Sequence, residues 1–128
     1  MRIVLADNDK RMFSALRMLL GCEPQLEVVA EVTNTANLLA VSQDSGPELI
    51  LLDWELQGRP DAELLSRLRD VLPHVHIVAL SGRSESAAAA LEAGADAFVS
   101  KAEPAHVLMT EVARLAASDR AKELVGGQ

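Results

Sequence analysis

Four short apolar runs each end on a residue able to do chemistry. The run Leu49-Ile50-Leu51-Leu52 stops at Asp53, just before the chain's single tryptophan, Trp54, and a second acid, Glu55. "RIVLA" (2–6) is followed by Asp7 and Asn8, "VHIVAL" (75–80) by Ser81, and "AFVS" (97–100) by Lys101. Apolar runs of this length bounded by turn residues predict buried strands. A carboxylate closing such a strand must be solvated, paired or bound to something. Any one polar strand end is ordinarily a solvated turn or a cap. Carboxylates, an amide oxygen, a hydroxyl and an ammonium gathered on one rim are another matter, because their chemistries are complementary.

The intervening segments must bring these tips together. Helices are predicted over 10–21, with Met12, Leu16, Leu19 and Leu20 on one side, and over 35–43. A third begins after Pro60-Asp61 and stops at Pro73. A fourth, alanine-rich helix is capped by Ser84 and ended by Gly94, and the last covers 104–118 with Pro104 in its first turn. A further strand is expected over 26–32. Five strands alternating with five helices imply right-handed crossovers and a parallel sheet covered on both faces, which is why the strands lack alternation. Ligands of such sheets bind beyond the carboxyl ends of the strands, the rim that carries Asp7, Asp53, Ser81 and Lys101.

Composition narrows the function classes. A chain of 128 residues, 49% hydrophobic and 2% aromatic, forms one domain with an aliphatic core. Its lone cysteine, Cys22, cannot form an internal disulfide and is expected to be a small buried apolar residue, in keeping with a reducing compartment. The start is too weakly apolar for a signal peptide, and no run reaches the ~18 apolar residues of a membrane span, so a cytoplasmic location without membrane contact is expected. A net charge of −7 with no basic block argues against nucleic-acid binding by this chain alone. His74 and His76 lack a third ligand for zinc, His106 reads as a surface residue, and no Walker or GxGxxG pattern occurs.

The blocks "LADND", "LILLDWELQG", "VALSGRS" and "GADAFVSKAEP" resemble, in order and spacing, the signature blocks of bacterial response-regulator receiver domains. Lys101-Ala102 leans towards the receivers of LuxR-type transcription regulators. The resemblance implies a flavodoxin-like doubly wound (βα)5 fold with strand order 2-1-3-4-5, over residues 1–118. The tail 119–128 would extend the last helix, fraying at Gly126-Gly127, or begin a linker. It further implies that Asp53 accepts a phosphoryl group from a sensor histidine kinase, assisted by Ser81 and Lys101. Mg²⁺ would be bound by Asp7, Asn8, Asp53 and the main-chain carbonyl of Glu55. Ser81 and Phe98 would be the switch residues, signalling through the fourth helix, fifth strand and fifth helix to an output or homodimer face. DNA would be reached only through a C-terminal domain outside this chain. Such a module is no enzyme beyond its own phosphorylation and dephosphorylation.

Three positions depart from the family's pattern. Asn8 stands where a second acid is usual and predicts weaker Mg²⁺ binding, with Asp9 a substitute only if the loop is reshaped. Gln57 replaces a proline before Gly58, so a less constrained loop is expected. Ala102 replaces a proline often in a cis bond; cis before alanine costs ~2.5–4 kcal/mol, so trans is expected. Glu55 and Arg83, two residues beyond Asp53 and Ser81, are expected to pair across the mouth of the site and tune phosphoryl lifetime. Trp54 should pack against helices and report on the site optically. The competing reading is a pseudo-receiver, a constitutive interaction domain supported by Asn8. An aspartate-nucleophile phosphatase lacks room for a cap domain.

Overall fold

The computed structural model describes residues 1–126, with side chains described through Asp119, so Gly127 lies outside it. Five strands, β1 (Arg2–Ala6), β2 (Glu27–Val32), β3 (Leu49–Asp53), β4 (His76–Ser81) and β5 (Ala97–Ser100), form one parallel sheet in the order β2-β1-β3-β4-β5. Five helices alternate with them: α1 (Arg11–Leu20), α2 (Thr35–Ser45), α3 (Ala62–Val71), α4 (Ala87–Glu92) and α5 (Ala105–Gly126). This is the doubly wound fold that the alternation predicts, with the sheet order of the receiver resemblance.

Successive strand residues face opposite sides, and here both sides are buried. Val4, Ala6, Ile50, Leu52, Ile77 and Ala79 pack under α2, α3 and α4 with Leu38, Leu64, Leu68 and Ala90. Ile3, Leu5, Leu49, Leu51, Val78, Leu80 and Val99 pack under α1 and α5 with Phe13, Leu16, Leu20, Leu108, Val112 and Leu115. The buried stripe of α1 is thus centred on Phe13, Leu16 and Leu20, while Met12 and Leu19 lie half-buried beside it.

Local chemistry sets the helix ends. Asp61 is the N-cap of α3, its Oδ1 accepting the Leu64 N–H at 3.2 Å. Asp61→Ala should lower the unfolding free energy by ~1 kcal/mol in urea titrations. Ser84 does not cap the alanine helix. It lies in a 3-10 turn, Ser84–Ser86, where the Arg83 carbonyl accepts the Ser86 N–H, and α4 starts at Ala87 without a side-chain cap. A backbone carbonyl does there what the hydroxyl was expected to do. Gly94 takes φ +114°, where a side chain would be strained, so the chain can turn into β5. Asp96 then fixes the start of β5. Its carboxylate accepts the Ile77 N–H at 2.8 Å and pairs with Arg69 at 3.0 Å.

One residue differs from expectation, and another gains a partner that the sequence did not suggest. Cys22 is exposed, because α1 has ended at Leu20 and the turn to β2 carries it off the packed face. His76 is buried at the start of β4, its Nε2 2.5 Å from Asp119 Oδ1 on α5. No His, Cys, Asp or Glu cluster able to hold a metal by three such side chains occurs among the described residues, and none of their helices is long and apolar enough to cross a membrane.

Candidate functional site

Strand register delivers the polar residues to one rim. Ala6 is paired with Leu52, so Asp7 and Asp53 emerge side by side; Ser81 is paired with Ser100, so Lys101 follows at its flank. The pairing continues past the strand ends, with the Asp7 N–H on the Val32 carbonyl, Trp54 N–H on Leu80 and Lys101 N–H on Ser81, at 2.7–3.1 Å. These bonds hold each tip rigidly, and the side chains surround a cleft of about 390 Å³ lined by Asn8, Asp53, Glu55, Gly58, Gly82, Arg83 and Lys101.

Its floor is anionic and dry. Asp7, Asp53 and Ser81 are 1%, 4% and 0% exposed. Lys101 Nζ stands 2.9 Å from Asp7 Oδ2 and 3.7 Å from Asp53 Oδ2. One ammonium therefore serves two carboxylates, and Asp7 Oδ2 still makes no well-directed hydrogen bond. Burial pushes the Asp53 carboxyl above its usual range, and the Asp7 charge adds to this; Lys101 and the backbone N–H groups of Glu55 and Asn8 only partly oppose it. The Glu55 N–H reaches Asp53 Oδ1 at 3.1 Å.

The residues fit a hard divalent cation in their donor type. Asp7 and Asp53 offer two buried carboxylates to the single ammonium of Lys101, and Asp7 Oδ2 makes no well-directed hydrogen bond. A hard divalent cation would take such oxygens together with a main-chain carbonyl such as that of Glu55, with water completing its shell. Asn8 fits less well: its Nδ2 faces the Glu55 carbonyl at 3.4 Å, so the amide presents its donor side there. Asp9 is engaged elsewhere. It accepts the Arg11 N–H and pairs with the Arg11 side chain at 3.1 Å, which holds its carboxyl below the usual range.

Other expectations change in detail. Glu55 and Arg83 form no ion pair among the described residues. The Glu55 carboxylate instead accepts the Ser81 hydroxyl, at 2.8 Å to Oε1 and 3.1 Å to Oε2, while Arg83 offers only its backbone N–H to Ser81 Oγ at 3.0 Å. Glu55 reaches inward to a buried donor, and the Arg83 side chain stays exposed. The loop after β3 is tied down despite lacking the proline: Gln57 Oε1 accepts the Thr35 N–H at 2.8 Å, and Gly58 takes φ +87°. The Lys101–Ala102 bond is trans, as every peptide bond among the described residues is. Trp54 is buried in the core under α2 and α3, and Phe98 is half-buried against the same cluster.

Residues 3–113 match the family model of the response regulator receiver domain. The chain belongs to this family. It is 30% identical over 101 residues to the fimbriae Z protein of Salmonella typhimurium, covering 77% of this chain and 48% of that protein. It is 28% identical over 101 residues to the nitrate/nitrite response regulator protein NarL of Escherichia coli, covering 77% and 47%. A LuxR-family two-component response regulator from Aurantimonas superposes with a TM-score of 0.80 at 27% identity, over 91% of this chain and 85% of that one. The chain is a receiver domain of the NarL/LuxR type and spans about half the length of these curated relatives.

Among the residues the sequence did not single out are Asp96 and Arg69, which fix the register of β5, and Gln57 as a loop anchor. "GADAF" contained the first signal; nothing local in the sequence pairs Gln57 with Thr35.

Proposed function

We propose that this receiver accepts a phosphoryl group on Asp53 from a phosphohistidine of a sensor kinase and uses it to control an output, which the resemblance to receivers of LuxR-type transcription regulators makes transcription. The observation that carries this reading is the meeting of Asp53 with Lys101 at an open cleft, with Asp7 buried against the same ammonium and the Ser81 hydroxyl bound to the cleft-lining Glu55. Phosphoryl transfer asks a protein chiefly for positioning and charge stabilisation. The Asp53 carboxylate oxygen attacks phosphorus, the bond to the donor's nitrogen breaks, and an acyl phosphate results. Lys101 gives its ammonium to the new phosphoryl oxygens, and Ser81 turns its hydroxyl to one of them. Asp7, Asp53, the Glu55 carbonyl and, after its amide turns over, Asn8 would hold Mg²⁺, which supplies positive charge against the incoming oxygens. Glu55 and Arg83 line the mouth, where they tune the lifetime of the phosphoryl group. The response would pass through Ser81 and half-buried Phe98 to α4, β5 and α5. DNA contact would belong to a C-terminal domain beyond this chain, and the α4-β5-α5 face would carry a homodimer.

Incubation with Mg²⁺ and acetyl phosphate followed by peptide mass spectrometry tests the reading: one phosphoryl mass is expected on the Asp53 peptide and none on Asp53→Asn. A pseudo-receiver, a constitutive interaction domain, is favoured by Asn8 alone, and an unmodified Asp53 under donor excess would select it. Restoring the acid should help the metal. Asn8→Asp is expected to tighten Mg²⁺ about tenfold by calorimetry, because affinity for such ions follows the charge of the ligand set.

A further inference from the structure

Ser81 Oγ has one proton. Ser81 is completely buried, its oxygen already accepts the Arg83 N–H at 3.0 Å, and its hydroxyl donates to the Glu55 carboxylate, with Oγ 2.8 and 3.1 Å from the two carboxylate oxygens. A phosphoryl oxygen on Asp53 is an acceptor without a proton of its own. A hydroxyl with one proton can serve the Glu55 carboxylate or the phosphoryl oxygen, and not both fully. The bond to Glu55 is charge-assisted and partly shielded from water, the kind that resists being given up.

We propose that the Glu55 carboxylate is a latch on Ser81: it holds the switch hydroxyl in the unphosphorylated arrangement, and activation requires the Ser81 proton to leave Glu55 for the phosphoryl group. Glu55 thereby sets the threshold of the switch from within the site. It acts through Ser81, as a positioning residue, and Arg83 contributes a backbone N–H that fixes the pivot. The inference rests on the phosphoacceptor reading for its active state, whereas the latched state is visible in the protein alone. It also assigns Glu55 a side-chain role separate from its main-chain carbonyl, which a substitution leaves in place.

The test is a cycle of Glu55→Ala and Ser81→Ala, singly and together, titrated with beryllofluoride at saturating Mg²⁺ and followed by Trp54 fluorescence. Glu55→Ala should lower the half-saturating concentration about tenfold, equivalent to about 1.4 kcal/mol, and Glu55→Gln, which keeps a neutral acceptor oxygen, should fall between. In the Ser81→Ala background the same change should be less than about twofold, since no hydroxyl remains to release. Equal tightening in both backgrounds would mean that Glu55 merely repels the anion, and the latch is overturned. A second measurement needs neither metal nor phosphoryl analogue: amide exchange at Arg83, whose N–H rests on Ser81 Oγ, should quicken about tenfold in Glu55→Ala. Unchanged exchange overturns the latch. A parent protein blind to beryllofluoride would sink the phosphoacceptor reading instead, and the Arg83 exchange then decides the latch by itself.

Discussion

Asp53→Asn should make the metal-free protein more stable at neutral pH, by about 1–3 kcal/mol, the scale of an uncompensated buried polar group. The carboxylate is nearly inaccessible, sits beside Asp7 and shares one ammonium with it. An amide keeps an oxygen for the Glu55 N–H and removes the charge that burial and Asp7 penalise. The sign of the pH dependence follows from the same shift. A carboxyl whose folded pKa lies above the ordinary aspartate value of 3.8 binds its proton more tightly when folded. Between those two values the folded state carries more protons, so the stability owed to this group is greatest below 3.8 and is lost as pH rises through the folded pKa. The advantage of Asp53→Asn should therefore vanish below 3.8, grow as pH rises and level off once the pH passes the folded pKa. Urea unfolding of both proteins across this range, without metal, checks it; an advantage independent of pH would mean that the amide acts by packing. A site that costs stability when empty of countercharge is one prepared to receive a cation.

Much of this site could be read from the chain because parallel strands are simple devices. An apolar run that stops at a polar residue declares both a buried strand and its polar tip, and strands joined by helical crossovers run parallel, which puts all such tips on one edge. Asp7, Asp53, Ser81 and Lys101 were legible for that reason, each being at or one residue past a strand end. What lay beyond the tips was less so. Whether Glu55 reaches Arg83 or Ser81 depends on loop torsions and on which partner is drier, and the buried hydroxyl wins over an exposed guanidinium. Exposed ion pairs gain little, so charge complementarity alone was a weak guide. Ser84 and Cys22 fail similarly. A serine ahead of an alanine run reads as a cap until the turn proves to be 3-10, and a cysteine two residues past a helix end reads as core until the chain direction is known. Gln57 shows the converse, a side-chain hydrogen bond doing locally what a ring was expected to do.

Lys101→Ala should have the opposite sign to Asp53→Asn, and its size argues for the same charge ledger. Removing the ammonium leaves Asp7 and Asp53 buried together with no described cationic side chain within salt-bridge distance of either. Breaking a buried pair by deleting one partner costs ~3–5 kcal/mol; Lys101 keeps 24% of its side chain in water, which places the loss at about 3 kcal/mol. Acid should restore much of it, because protonating one carboxylate ends the repulsion. Mg²⁺ should restore it too. With its competitor gone from Asp7, the ion would be the cation available to both oxygens, so the rise in melting temperature per added Mg²⁺ should be larger in Lys101→Ala than in the parent. Differential scanning fluorimetry of the two proteins over a magnesium series decides this, and an equal rise in both would mean that lysine and metal do not share Asp7. The variant should nonetheless respond poorly to acetyl phosphate, since the metal can balance the carboxylates but cannot also take the ammonium's place on the phosphoryl oxygens. Stability recovered by Mg²⁺ without recovery of the phosphoryl response would separate the structural service of Lys101 from its part in switching.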